Sequence, residues 1–233
     1  MPAKIIVSYD GTANEDDAIA LGRLFGQAGA EVSLAYVRHA HEADSERESA
    51  AERQAHGLLQ GGVELLGDER AQLHVVTDRS TPEGLAKLAE REGAQVIVFC
   101  SDSHTAKGSV SIGNSAERLL EGGRTAVAIA PVDLAETAAG AGIRRIVAVG
   151  DADGGARETA AALAGALGAT VEPVVGEQTD LLVIDSRPEA QPGQVALSAS
   201  ATHLVEIATS AVLVLPRGVK LAFAPAAPAA LSA

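Results

Sequence analysis

The feature that most constrains the fold of this chain is a stretch that occurs twice and aligns without a gap. Residues 94–131 and 179–216 are related by a single offset of 85, which places Val98 on Val183. Each copy predicts a buried apolar strand, a polar loop of small residues, a short amphipathic helix and a second apolar strand that ends at a proline. Because anions bind where such a loop enters a helix, comparing the two copies tests function.

The residues before the first copy predict three more strands and three more helices in alternation. An apolar run that ends at Asp10 and Gly11 is typical of a central parallel strand leading into a functional loop. With the repeated unit, five strands and four helices predict a doubly wound, mainly parallel α/β sheet of Rossmann-like type. The predicted order is strand 5–9, helix 14–27, strand 32–37, helix 42–66 that is interrupted or frayed near 61–62, strand 73–76 and helix 80–93.

The residues before the second copy repeat the start of the chain in shortened form. Residues 144–150 predict a strand that leads to Asp151, and an alanine-rich helix follows over residues 156–167. No sequence matches the long helix or the third strand, and a connection of about five residues spans at most roughly 17 Å. We therefore expect residues 171–175, with Pro173 among them, to form an edge or irregular segment.

These units predict two tandem domains. The first covers residues 1–135, a truncated and degenerate second domain covers 143–218, and the Ala/Pro-rich segment 219–233 is expected to be disordered. The composition agrees with tightly packed helices on a parallel sheet, since 47% of the residues are hydrophobic and Trp is absent.

Charge and hydropathy argue against nucleic-acid and membrane partners. The formal net charge is −13, which repels a phosphodiester backbone. No apolar run approaches the length of a membrane-spanning helix, and the chain enters its first strand without a signal segment. Cys100 is the only cysteine, so no intramolecular disulfide forms and we expect a cytoplasmic protein.

Three features together resemble the universal stress protein family: a first strand that ends in Asp-Gly-Thr at residues 10–12, a small α/β unit, and a closing block with GNSAERLL at residues 113–120. The resemblance covers residues 3–132, and residues 143–217 as a truncated second copy. Members of the nucleotide-binding branch carry glycine, two residues, glycine, nine residues, glycine and then Ser or Thr in the loop after the fourth strand.

In this sequence the three glycine positions of that motif fall on Cys100, Ser103 and Gly113, and its hydroxyl position falls on Asn114. Glycine lets backbone amides approach phosphates closely, and Cys and Ser hinder that approach although both are small. Asn114 also stands at a helix amino terminus, which favours an anion. The nucleotide-binding residues implied by the resemblance are Asp10, Gly11, Val37, Cys100, Ser101, Ser103, Gly113, Asn114 and Ser115.

By the same resemblance, Asp10 contacts the adenosine portion and Val37 meets the adenine through its backbone. The implied ligand is ATP or another adenine nucleotide, with or without Mg. In the second half the glycine positions fall on Asp185, Pro188 and Ser198. Because a carboxylate repels phosphate and a proline has no amide to donate, we expect that half not to bind nucleotide.

Two functional hypotheses follow from the resemblance. The first is a stress-response protein that binds ATP or ADP in its first half for sensing or regulation, without efficient catalysis. The alternative is a nucleotide-free dimerisation or adaptor protein of the same family. An enzyme is the least favoured class, because the sequence has no GK[ST] phosphate loop and no evident nucleophile and base pair.

The remaining reactive side chains have simple interpretations. His39 and His41 alternate at the start of a charged helix, but no further ligand has a fixed spacing, so we expect no metal site. Cys100 ends a buried strand and is interpreted as a packed residue rather than a nucleophile. His104 lies in the loop, where it contacts a phosphate or nothing, and Asp10 is alternatively a turn cap.

The final strand of each copy predicts an interface. These strands run from Thr125 to Ala130 and from Ser210 to Leu215, and both are short and apolar. Unpaired strand amides attract another strand, and members of the family dimerise through this one. We expect an intramolecular pseudo-dimer through the two strands, a homodimer, or both. The alternative is that the two strands lie at separate sheet edges, where the prolines that follow only limit further strand pairing.

Overall fold

Strands and helices alternate along the whole chain in the computed structural model, which describes residues 2–12, 14–39, 44–151 and 154–225. This alternation confirms the predicted α/β class. In chain order the elements are β1 Lys4–Ser8, α1 Glu15–Gln27, β2 Glu31–Arg38, α2 Ser45–Leu66, β3 Gln72–Thr77, α3 Thr81–Glu92, β4 Val96–Cys100, α4 Asn114–Leu120, β5 Ala126–Ala130, α5 Leu134–Ala141, β6 Arg145–Val149, α6 Gly155–Leu167, β7 Thr170–Glu172, β8 Leu181–Asp185, α7 Ala199–Glu206 and β9 Ala211–Leu215.

All strands of the described residues belong to one sheet, in the order β3-β2-β1-β4-β5-β9-β8-β6-β7. Neighbouring strands are parallel except for β5 and β9, which pair antiparallel with Ala128 opposite Leu213. The final strands of the two sequence copies therefore meet at the middle of the sheet. Outwards from this central pair, the orders β5-β4-β1-β2 and β9-β8-β6-β7 correspond strand for strand.

Both faces of the sheet are covered, which explains why the central strands are apolar at every position. All five residues of β5 and all five of β9 are buried. One face packs against α1, α2 and α6, and the other packs against α3, α4 and α7. Each fully buried Leu or Ile side chain stabilises the fold by roughly 1.5–3 kcal/mol, and each of the two cores draws such residues from both halves.

The predicted interruption of the long helix is wrong. α2 runs unbroken from Ser45 to Leu66 and passes through the glycine pair at 61–62. A Cβ at Gly62 would lie 2.8 Å from Leu34 Cδ1 and 3.1 Å from the ring of Tyr9. The glycine thus lets α2 pack closely on the sheet, and this tertiary contact outweighs the low helix propensity of glycine.

Of two segments near the boundary between the halves, the sequence predicted one and missed the other. Residues 171–175 were expected to be an edge or irregular segment, and this is confirmed, since β7 is a three-residue strand at the sheet edge. The helix α5 was not predicted. Its start is held by Asp17 of α1, whose carboxylate accepts hydrogen bonds from the backbone amides of Asp133 (2.9 Å) and Ala135 (2.7 Å).

The carboxyl-terminal segment is ordered further than predicted. Residues 219–225, expected to be disordered, pack against both halves of the chain: the amide of Leu221 donates to Thr159 of α6 at 3.0 Å, and that of Ala224 donates to the carbonyl of Ala28 at 3.1 Å. Leu221 is 3% exposed, and the ring of Phe223 stacks on Phe25 with centroids 6.0 Å apart. These two apolar side chains anchor a segment whose Ala/Pro content suggested disorder. Residues 226–233, the rest of that prediction, lie outside the described residues.

Candidate functional site

The carboxyl ends of β1, β2 and β4 bring the predicted ligand-binding residues to one edge of the sheet. β1 lies between the other two strands, with Val7 aligned to Leu34 of β2 and to Val98 of β4. Asp10 follows β1, Val37 is the penultimate residue of β2, and Cys100 ends β4. We call these strand ends and the loop that leads to α4 the first-half site.

The turn after β1 is built around Asp10 and Gly11. Asp10 is exposed, and its Oδ1 accepts a hydrogen bond from the amide of Thr12 at 3.0 Å, so Asp10 does cap the turn. Gly11 has a φ of +76°, and a Cβ there would lie 2.6 Å from Leu58 Cδ1. The left-handed backbone conformation is what favours glycine at this position, since the Leu58 methyl is the flexible end of a side chain.

Glu15 is the residue of the first-half site that the sequence interpretation missed. It is 6% exposed, and its Oε2 accepts hydrogen bonds from the amides of Asp10 and Gly11, the latter at 2.7 Å. Burial first, and then the negative charge of Asp10, raise the pKa of Glu15 to about 8. Glu15 is therefore mostly protonated at neutral pH. The only sequence signal was an acid in the first turn of a helix, which usually just complements the helix dipole.

Val37 and Cys100 form the apolar side of the site. Val37 is 6% exposed and packs on α3, where a Cβ at Gly84 would lie 3.0 Å from it, so its side chain is not free to meet a ligand. The Cys100 thiol is partly buried, and burial followed by the charge of Glu15 raises its pKa to about 12. A thiol that stays protonated is a poor nucleophile, in agreement with its interpretation as a packed residue.

Ser101 anchors the loop after β4. It is 1% exposed; its hydroxyl donates to the carbonyl of Ala130 at 2.6 Å and accepts from the amide of Ser111 at 3.1 Å. With donor and acceptor both engaged, this hydroxyl fastens the loop to β5 rather than facing a ligand. The neighbouring Ser103 is exposed.

The rest of the loop is tied to the turn after β1 and to the start of α5. Asn14 Nδ2 donates to the carbonyl of Asp102 at 3.2 Å, which joins the two sides of the first-half site. Lys107 Nζ lies 2.7 Å from Asp133 Oδ2, so the loop's one lysine pairs with a carboxylate next to α5. His104 is exposed.

Gly113 gives α4 a beginning without a side-chain cap. It is the N-cap residue with φ −74° and ψ 160°, an ordinary extended conformation, and a Cβ there would meet nothing within 4 Å. Neither the backbone nor the packing requires glycine. The first turn of α4, which includes Asn114 and Ser115, therefore presents its amides without a hydrogen bond from the cap side chain.

In the second half, side chains of the protein fill the space at the carboxyl ends of the corresponding strands. Asp185, at the position of Cys100, accepts a hydrogen bond from the amide of Ala156 at 2.8 Å, in the first turn of α6. A Cβ at Gly154 would overlap the other carboxylate oxygen. Burial raises the pKa of Asp185, and the charge of Asp151 adds to this.

The helix that follows in the second half is capped where α4 is not. Ser198 is the N-cap of α7, 85 residues after Gly113, and its Oγ accepts from the amide of Ala201 at 3.2 Å. Pro188, in the preceding loop, has no amide to donate. The second half therefore offers an anion fewer free donors than the first.

The structure holds no group of three metal-ligating side chains in the part of the chain that it describes. His39 is among those residues, whereas His41 lies outside them. Across the described ranges no helix combines the length and apolar character needed to cross a membrane.

Comparison with known proteins identifies the first half. The model of the universal stress protein family matches residues 1–131. No curated protein matches the chain. A candidate universal stress protein from Pseudomonas aeruginosa is similar in structure, with a TM-score of 0.61 and 15% identity, over 93% of this chain and 94% of that one.

Two further solved structures resemble the whole chain. A functionally unknown Pseudomonas aeruginosa protein has a TM-score of 0.59 at 16% identity, over 92% of this chain and 93% of that one. A universal stress protein from Archaeoglobus fulgidus has a TM-score of 0.59 at 14% identity, over 92% and 98%. At these identities the likeness establishes the fold alone.

Proposed function

The chain belongs to the universal stress protein family, and on that premise we propose that its first half binds an adenine nucleotide, ATP or ADP. Family membership indicates a stress-response role. Binding would serve sensing or regulation without efficient catalysis, and the raised pKa of Cys100 supports the absence of a thiolate nucleophile. We also propose a cytoplasmic location, in keeping with a single cysteine.

The observation that carries this proposal is the glycine at position 113. Glycine there is demanded by neither φ nor packing, and the equivalent Ser198 shows that a serine is accepted by the same kind of turn. What glycine does provide is unhindered access to the first amides of α4. This access allows a phosphate to approach the backbone closely.

The other predicted ligands have compatible places around these amides. Asp10 is exposed near the loop that leads to α4, and its carboxylate is directed at its own turn. Asp10 would therefore contact the ribose, or contact the nucleotide through its backbone. Val37 leaves only its main chain for the adenine. Ser103 and Asn114 are exposed on the phosphate side. The loop's lysine pairs with a carboxylate, so a metal ion such as Mg would be needed to offset phosphate charge.

The second half, we propose, is a shortened copy of the same domain that acts as a structural partner. Its strand order outwards from β9 corresponds to that from β5. The hydroxyl of Ser186 repeats the bonds of Ser101, donating to Leu215 at 2.7 Å and accepting from Ala196 at 3.1 Å. In this proposal the β5–β9 pair takes the place of a homodimer through the same strands.

The test is nucleotide binding by the full chain. Freshly purified protein is denatured and any released nucleotide is identified by chromatography and mass spectrometry; the stripped protein is then titrated with Mg-ATP by calorimetry. Gly113→Ser would add a side-chain cap that competes with phosphate for the same amides. Losing hydrogen bonds to a charged group costs about 1.5–3 kcal/mol, so affinity should fall at least tenfold.

A matched control separates loss of the ligand from loss of the fold. Ser198→Gly makes the reverse exchange in the second half and should leave ATP affinity unchanged. Asp10→Ala should weaken binding, and restoring glycine at Cys100 and Ser103 should strengthen it. Equal affinities of wild type and Gly113→Ser would contradict the proposed phosphate position.

The alternative, a nucleotide-free adaptor of the same family, is favoured by one observation. Glu15 already occupies the amides of Asp10 and Gly11, so the turn after β1 satisfies its own donors. A purified protein that carries no nucleotide and gives no heat up to millimolar Mg-ATP would establish this alternative and overturn the nucleotide proposal.

A further inference from the structure

A cavity of about 790 Å³ lies between the two halves and shares no residue with the predicted ligands of the first-half site. Its walls are the loop at residues 110–112 and α4 from the first half, with the loop at residues 187–197 and α7 from the second. We call it the interhalf cavity. Its volume is within the range of small-molecule sites, about 300–1,000 Å³.

Backbone hydrogen bonds between the halves hold these walls in place. Val110 donates to the carbonyl of Ala208 at 3.0 Å, and Val195 donates to that of Gly123 at 2.8 Å. Val195 lies 85 residues after Val110, and Ala208 lies 85 residues after Gly123. The two hydrogen bonds are therefore equivalent under the sequence repeat. Gly122 also donates to Val195 at 2.9 Å. A ligand would therefore meet a cavity whose shape is already set, which lowers the entropic cost of binding.

The inner surface of the interhalf cavity is apolar. Val110, Leu120, Ala190 and Val195 line it, and all four are buried in the surrounding structure. Each methylene group of a ligand that contacts this surface leaves water, which favours binding. The surface thus suits an aliphatic segment.

The outer surface of the same cavity is acidic. The first half supplies Glu117 and Glu121, which share a helix face because they are four residues apart, and the second half supplies Glu189 and Glu206. Arg187 is the one basic residue among the described lining residues. This ratio of four to one exceeds that of the whole chain, 31 acidic to 18 basic residues, so composition alone does not account for it.

We propose that the interhalf cavity binds a linear aliphatic polyamine. Its ammonium groups pair with carboxylates contributed by both halves, and the methylene segments between them contact the apolar inner surface. Charge complementarity selects a cation over a nucleotide here, and the apolar surface selects an aliphatic cation over a metal ion. The inference is independent of the nucleotide proposal, since none of the predicted nucleotide ligands lines the cavity.

Spermidine is the probe for this proposal, titrated into the full chain by calorimetry at physiological ionic strength, where diffuse attraction is screened. Wild type should bind one spermidine per chain. The double variant Glu121→Gln/Glu206→Gln removes one carboxylate from each half and should bind about two- to thirtyfold more weakly, since the loss of each exposed ion pair weakens binding by about 1.4- to 5-fold.

A charge-matched double variant supplies the control. Glu64→Gln/Glu69→Gln removes two exposed carboxylates that do not line the cavity, and it should bind spermidine as wild type does. An equal loss in both double variants would reveal diffuse counterion attraction and overturn the proposal. So would the absence of saturable binding to wild type. Unfolding midpoints of all variants confirm that the fold is kept.

Discussion

The first and second halves fasten their loops to the sheet with the same serine, yet they begin the helices that follow in different ways. Ser101 and Ser186 each bond to the last residue of the neighbouring strand and to the returning loop. α4 then starts at an uncapped Gly113, whereas Ser198 caps α7. The scaffold is thus common to both halves, and the hydrogen bonding of the first helix amides by a cap side chain differs between them.

The two halves also differ in the chain segment that supplies a buried carboxyl group. When the Gly-Ala pairs that precede β2 and β7 are aligned, Glu15 falls on Gly154. In the first half α1 supplies the buried carboxyl next to the small Cys100. In the second half Asp185 supplies it from the end of β8, next to the small Gly154. Both halves therefore keep an acid at this edge and differ in the segment that carries it.

This exchange shows that a buried acid here is compatible with either proposed role. It fills space and satisfies turn or helix amides in both halves, so it does not by itself distinguish a binding half from a structural half. The distinguishing features are the free start of α4 in the first half and Pro188 with Ser198 in the second.

The largest expected effect concerns Glu15 and pH. Its folded-state pKa of about 8 exceeds the ordinary glutamate value of 4.5, so the folded protein binds the extra proton throughout that interval. Stability should therefore decrease as the pH rises from about 4.5 to about 8, by a few kcal/mol. Glu15→Gln removes this titration. Urea unfolding from pH 5 to pH 9 should give a flatter profile for the variant, which becomes more stable than wild type at the alkaline end.

The other acids near Glu15 define the control for this profile. Asp10, Asp16 and Asp17 lie close by and remain in the variant, so only the difference between the two profiles reports Glu15. Asp185 performs the related role in the second half and has a raised pKa of its own. Parallel profiles for wild type and Glu15→Gln would show that Glu15 is ionised in the fold at neutral pH, against the expectation.

The next effect tests whether the two loop anchors are equivalent. Ser101→Ala leaves the carbonyl of Ala130 without its side-chain donor, and Ser186→Ala does the same to Leu215. An unsatisfied buried polar group costs about 1–3 kcal/mol. Each variant should therefore lose about 2 kcal/mol in chemical unfolding, and the two losses should agree. A large loss in one half alone would contradict the shared scaffold.

Periodicity predicted most of the fold because local patterns determined it. The gapless repeat indicated that β4-α4-β5 and β8-α7-β9 have the same plan, and strand-end residues such as Asp10 and Cys100 lie together as parallel topology requires. The helix α5 escaped prediction because its start depends on Asp17, a residue distant in the sequence. Leu221 and Phe223 likewise take their order from residues distant in the sequence, Thr159 and Phe25 respectively.

The candidate site was less predictable, because side-chain direction decided it. The family motif predicts Ser101 as a ligand, although its hydroxyl is directed into the sheet. Glu15 lies outside the motif, and its position in the first turn of α1 gave no sign that the carboxyl folds back onto the preceding turn. A hydroxyl or carboxyl in a loop indicates hydrogen bonding, and only the three-dimensional contacts show with which partner.

The smallest effect comes from exchanging the helix caps, and it bears most directly on the difference between the halves. Replacing a serine N-cap by glycine changes stability by only a few tenths of a kcal/mol. Ser198→Gly should thus lower the free energy of unfolding slightly, and Gly113→Ser should raise it by a similar amount, because the open space at Gly113 accepts the side chain. Chemical unfolding of both variants without nucleotide measures this. If Gly113→Ser instead destabilises the nucleotide-free protein, the fold itself requires glycine at position 113. The glycine then no longer supports a binding role for the first amides of α4.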